Sequence, residues 1–75
     1  MEREIPIRGD MIRLGQLLKL AGIVDTGADT KTLLADEAVT VNGVPEWRRG
    51  CQLHGGDVVA VSDQQLRLVG RAPTG

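Results

Sequence analysis

Ile12-Arg13-Leu14-Gly15-Gln16-Leu17-Leu18-Lys19-Leu20-Ala21-Gly22 is the stretch on which the fold turns. Leu14, Leu17, Leu18 and Ala21 recur at i, i+3, i+4 and i+7, so a helix is predicted over Ile12–Ala21 with one apolar stripe. Asp10 stands where an N-cap would accept hydrogen bonds from the first amides, and Gly22 where a left-handed C-terminal residue is needed. Arg13, Gln16 and Lys19 repeat at three-residue spacing on the opposite face, which points all three polar side chains away from the core.

Working outward toward the C-terminus, a second, shorter helix follows within a few residues. Asp25 or Thr26 can cap it, Asp29 in its first turn complements the helix dipole, Leu33 and Leu34 face inward, and Lys31 faces away. So short a connection makes the two helices a packed pair. After Asp36-Glu37 the hydrophobic period changes from 3.6 to 2. Val39 and Val41 form a strand that enters a tight Asn42-Gly43 turn. Val44 to Arg48 returns from that turn, kept at a sheet edge or bulge by Pro45, and Arg48-Arg49-Gly50 is a basic loop. His54-Gly55-Gly56-Asp57 reads as a glycine turn capped by Asp57. Val58 to Val61 is a strand fit for burial, and Asp63-Gln64 turns the chain into a last strand, Gln65 to Val69, with Leu66 and Leu68 on one face. In the other direction, Glu4 to Gly9 reads as a short lead-in strand that Pro6 confines to an edge. The fold expected is α+β: two packed N-terminal helices followed by a small, mostly antiparallel sheet. The expected core is Leu14, Leu17, Leu18, Val24, Leu33, Leu34, Val39, Val41, Leu53, Val59 and Val61, within a single domain spanning 1–75 whose tail, 70–75, is frayed.

Composition narrows the function. A chain of 75 residues is one domain, and 41% hydrophobic with 25% charged residues is the balance of a soluble globular protein rather than a disordered one. No apolar run approaches the roughly 20 residues of a membrane span, and Met1-Glu2-Arg3-Glu4 does not open like a secretory signal, so a cytoplasmic monomer that engages no membrane is expected. One cysteine forms no internal disulfide, and one cysteine with one histidine closes no zinc site. Cys51 and His54 lie three apart without a third group to orient them, Gly55-Gly56 lacks the lysine of a phosphate-cradling loop, and the carboxylates are scattered. The chain reads as a non-enzyme with no metal, cofactor or small-molecule substrate. With no Phe or Tyr and one Trp it also lacks the aromatic platforms of sheet-based RNA readers. Net charge is −1, so any polyanion contact must come from where the cations sit. Arg13, Lys19, Lys31, Arg48 and Arg49 hold five of the nine, whereas Glu2, Glu4, Asp36, Glu37 and Asp63 lie at the start, the helix-to-strand junction and a distal turn.

The run Arg13 to Gly22, then Val39-Thr40-Val41-Asn42-Gly43, then Leu53 and Gly56-Asp57-Val58-Val59, resembles the S-four domain, the RNA-binding module named after ribosomal small-subunit protein four and also called the alpha-L motif. The likeness covers about residues 12–62 and is strongest to short, stand-alone bacterial members, where Asp25-Thr26-Gly27 and Arg48-Arg49-Gly50 also find counterparts. It implies that the helix pair and the start of the sheet form an RNA-binding surface. By position, Arg13 and Lys31 match basic residues of that surface, Thr26 the small hydroxyl residue that opens the second helix, Asn42-Gly43 the adjoining turn, and Arg48 and Arg49 the basic loop. Lys19 joins them from its place on the polar face of the first helix. Gly27 stands where many members have an arginine, Gly15 where many have an acidic residue, and Cys51 and His54 where short members are often more basic or bulkier. The function expected is non-catalytic binding of structured RNA, ribosomal RNA or another hairpin, on or off the ribosome, through phosphates and 2′-hydroxyls. Two alternatives are a protein-interaction module on the same fold, with Leu20 and Trp47 as its apolar contact, and a ubiquitin-like sulfur carrier. The second would need a Gly-Gly end where this sequence reads Pro73-Thr74-Gly75.

Overall fold

The computed structural model describes residues 2–36, 39–61 and 63–70. Residues 71–75 of the expected frayed tail, and Glu37 at the helix-to-strand junction, lie outside them. Strands come first, which corrects the expected order. β1 (Glu2–Pro6) and β2 (Ile12–Arg13) precede α1 (Leu14–Leu20) and α2 (Gly27–Ala35). The chain then forms β3 (Val39–Val41), β4 (Val44–Pro45), β5 (Gln52–Leu53), β6 (Val58–Val61) and β7 (Gln64–Val69). Five strands make one sheet in the order β1-β7-β6-β3-β4, and β2 pairs with β5 in a separate two-stranded ladder. The large sheet is mixed: β1 runs parallel to β7, with Ile5 opposite Leu68, while the other pairs are antiparallel. The edge position of β1 satisfies Pro6, which has no amide to donate.

Period-two alternation sends Ile5, Val39, Val59, Val61, Leu66 and Leu68 to one face of the sheet, where they are buried together with Leu14, Leu17, Leu18, Ala21, Val24 and Leu34 from the helical layer. The register that does this sets Val59 against Leu66 and Val39 against Val61. The expected core differs at its margins. Leu33 and Val41 are only half-buried against it, and Ile5, Ile7, Ala21, Leu66 and Leu68 belong inside it.

α1 starts two residues later than its periodicity suggests, and Asp10 does not cap it. Ile12 is held in the ladder opposite Leu53, Arg13 stays extended as N-cap, and the Arg13 amide donates to the Gln16 side chain at 3.1 Å. The first helical amides are taken by a distant loop: Leu14 donates to the Cys51 carbonyl and Gly15 to the Arg49 carbonyl, both at 2.9 Å. These supply acceptors for donors that a helix start otherwise leaves open. At the other end Ile23 donates to Leu18 and Gly22 to Lys19, a Schellman closure that requires the positive φ of Gly22. α2 takes Thr26 rather than Asp25 as its cap, with Thr26 Oγ1 accepting from the Asp29 amide at 3.1 Å. Asn42 (φ 51°) and Gly43 (φ 84°) form the tight turn between β3 and β4 that their sequence specifies.

Candidate nucleic-acid interface

The loop from Glu46 to Cys51 carries the site, and its backbone is fixed at both ends. The Glu46 amide donates to the Val39 carbonyl at 3.0 Å, and the carbonyls of Arg49 and Cys51 accept from the start of α1. Glu46 folds its carboxylate back into the loop. Oε2 accepts from the amides of Trp47 and Arg48 and from Arg48 Nε, each at 3.1 Å, and Oε1 accepts from Arg48 Nη2 at 3.2 Å. These donors hold the Glu46 carboxyl at about 2, well below the usual carboxylate range, with the Arg48 guanidinium as the first cause. Burial pushes the Cys51 thiol up, and the neighbouring Glu46 carboxylate pushes it the same way. Cys51 is therefore a thiol rather than a thiolate at neutral pH.

With the loop so anchored, its side chains meet those of the helices. A cleft of about 290 Å³ is lined by Arg13 at the N-cap of α1, by Gln16 and Lys19 from the helix's polar face, by Gly27 and Thr30 from α2, and by Arg49. The three-residue spacing read from the sequence thus becomes one wall of a groove. Its floor is Gly15, where an added Cβ would meet the Thr30 methyl at 3.7 Å and the Arg49 Cβ at 3.5 Å. The Arg49 guanidinium reaches the start of α2, with Nη1 3.8 Å from where a Gly27 Cβ would stand. Among the described residues no carboxylate lines this cleft. Among the described residues Arg13, Lys19, Lys31 and Arg49 form no ion pair, so their charge is available to a ligand. Thr30 is buried and donates to the Thr26 carbonyl at 3.2 Å, which fixes the α2 side of the groove.

The remaining sequence-predicted residues fall differently. Lys31 lines a neighbouring groove with Leu34, Ala35 and Trp47, and Arg49 belongs to both grooves. Thr26 caps α2 beside Gly27. Arg48 is tied to Glu46 and lies over the Trp47 ring, 5.8 Å from its centroid. Asn42 and Gly43 line neither groove. The Asn42 side chain is engaged at both ends, donating to Asp57 Oδ1 at 3.1 Å and accepting from the Val58 amide at 3.0 Å, so it braces one turn against another. Asp57 in turn accepts from the His54 amide at 2.7 Å, as expected of the residue that caps the glycine turn. Sequence reasoning missed Gln16 as a wall of the cleft and Glu46 as the organiser of the loop. The first was legible from its spacing with Arg13 and Lys19, whereas nothing local marks Glu46. Leu20 and Trp47, paired in the protein-interaction alternative, lie on separate grooves, Leu20 with Met11 and Ile12 and Trp47 with Lys31 and Leu34.

The S4 domain family profile matches residues 5–69, and the chain belongs to that family. It is 44% identical over 61 residues to the "Probable ribosome maturation protein RlbA" of Bacillus subtilis (strain 168), an alignment spanning 81% of this chain and 86% of that one. It is 33% identical over 58 residues to the "Putative RNA-binding protein YbcJ" of Escherichia coli (strain K12), spanning 77% and 83%.

Proposed function

We propose that this protein binds structured RNA, ribosomal RNA above all, by seating phosphates in the cleft between α1, α2 and the Glu46–Cys51 loop. The observation that carries this reading is the lining of that cleft: Arg13, Lys19 and Arg49 converge there, with no carboxylate among the described residues that line it. A protein of net charge −1 has no general attraction for a polyanion, so a local concentration of unpaired cations is the feature that supplies one. The names of the B. subtilis and E. coli relatives point to the same chemistry, in ribosome maturation and in RNA binding. A-form RNA hides its base edges in a deep, narrow groove, so contacts to a paired region are to phosphates and 2′-hydroxyls and carry little sequence preference. The protein acts by binding, as a cytoplasmic monomer of one domain. A protonated Cys51 with no hydrogen bond to His54 offers no activated nucleophile. Among the described residues no helix is long and apolar enough to cross a membrane.

The test is fluorescence anisotropy with an RNA hairpin derived from ribosomal RNA. A folded R13A/K19A/R49A variant is expected to lose affinity on the order of 100-fold at about 0.1 M salt, because three phosphate contacts are removed together. Wild-type affinity in this triple variant would overturn the assignment of the cleft.

A further inference from the structure

Trp47 is 67% exposed although it is the largest apolar side chain in the sequence, and its loop is not loose. Glu46 accepts from the amides of Trp47 and Arg48, and the Arg48 guanidinium, held by the same carboxylate, lies 5.8 Å from the ring centroid. The indole is thus presented by a fixed backbone with one cation already stacked on it. It borders a groove of about 470 Å³ formed with Leu34 and Ala35 of α2, whose charged rim is Lys31 and Arg49. That volume lies within the ~300–1,000 Å³ of small-ligand clefts. Arg49 also lines the cationic cleft, so the two grooves meet at one side chain.

We infer that Trp47 is a stacking platform for one unpaired nucleobase, a bulge or strand end, of the RNA whose phosphates occupy the neighbouring cleft. This inference rests on the RNA-binding reading and adds a nucleotide subsite to it. Three observations select a nucleobase over a protein side chain. Among the described residues the charged groups lining the groove are Lys31 and Arg49, with the Glu46 carboxylate of the adjoining recess already paired to Arg48. The bordering indole matches the π-face that every base presents, and Arg49 is shared with the cleft proposed for phosphates. A base paired inside a helix is stacked on both faces and offers none to the indole, so within a folded RNA the occupant is unpaired. The absence of Phe and Tyr, which argues against a multi-base platform, leaves room for a site for one base.

Trp47 is the only tryptophan, so its emission reports on the site directly. The intact protein is titrated with a blunt RNA duplex, with the same duplex carrying one bulged adenosine, and with the bulge made abasic. The expected result is quenching of Trp47 emission by the adenosine bulge alone, with affinity about 10-fold or more above that for the abasic duplex. In W47A this advantage disappears while binding to the blunt duplex and its salt dependence persist; circular dichroism checks that the variant is folded. Equal affinity for adenosine and abasic bulges, without quenching, overturns the stacking site, and if the blunt duplex still binds in a salt-dependent way the RNA-binding reading stands. Failure of all three RNAs to bind overturns both.

Discussion

Adjacent in sequence, Arg48 and Arg49 face different electrostatic surroundings because one of them has a carboxylate within reach. Arg48 Nε is 3.1 Å from Glu46 Oε2, and that carboxylate is largely withdrawn from solvent, at 11% exposure. Arg49 has no such partner among the described residues and lines the cleft. A guanidinium already paired gains less from a phosphate, since it must first give up its carboxylate. The two arginines are therefore separable with a fully paired RNA duplex as ligand. R49A is expected to reduce the slope of log affinity against log salt by about 0.9, the loss of one phosphate contact. The double variant E46Q/R48A, which removes the pair and leaves net charge unchanged, is expected to keep the wild-type slope. Binding titrations over a salt series measure both.

At the scale of the element, the Glu46–Cys51 loop behaves as a small structural unit whose stability depends on acid. The Glu46 carboxyl sits at about 2 in the folded protein, below its usual 4.5, because the Arg48 guanidinium and backbone amides favour the ionised form. A depressed carboxyl contributes stability that is fully present above the unfolded value and is lost as pH falls through the folded one. The thermal midpoint of wild type should therefore exceed that of E46Q by a constant amount above pH 4.5, and the difference should shrink between pH 4.5 and 2. Melting curves followed by circular dichroism across that range decide it; a difference that persists unchanged at pH 2 would show that the carboxylate does not hold the loop. α1 depends on the same loop. With seven residues, one of them Gly15, it is too short to be stable alone, and it forms because its apolar stripe is buried and its first amides reach Arg49 and Cys51.

For the whole molecule, a net charge of −1 coexists with a cleft lined by Arg13, Lys19 and Arg49, because net charge does not fix where the cations sit. Glu2 pairs with Arg67 on the edge of the sheet formed by β1 and β7, at 3.8 Å, while Arg13, Lys19, Lys31 and Arg49 are gathered about the helices. If these four neutralise phosphates, the slope of log affinity against log salt is about −3 to −4, and affinity falls on the order of 100-fold between about 50 and 200 mM salt. Isothermal titration with duplex RNA at several salt concentrations measures this, and affinity indifferent to salt would remove the electrostatic basis of binding. How much of this could be read beforehand depended on the sequence distance over which each decision is made. The Leu14-Leu17-Leu18-Ala21 stripe, the Gly22 closure, the Asn42-Gly43 turn and the alignment of Arg13 with Lys19 are settled among near neighbours, and the sequence displays them. The start of α1, the β2–β5 ladder and the parallel pairing of β1 with β7 depend on segments far along the chain, and no local pattern announces them. The distinction between Arg48 and Arg49 hinges on the direction in which Glu46 folds back, which residue types alone do not specify.

The contacts that fasten the Arg49–Cys51 segment to the helix start are made by main-chain oxygens. Shortening the side chain at position 49 leaves those oxygens in place, so R49A is expected to remove charge from the cleft with little change in thermal midpoint. Charge in the cleft and stability of the fold are then set by different atoms of one residue, the guanidinium for the first and the carbonyl for the second.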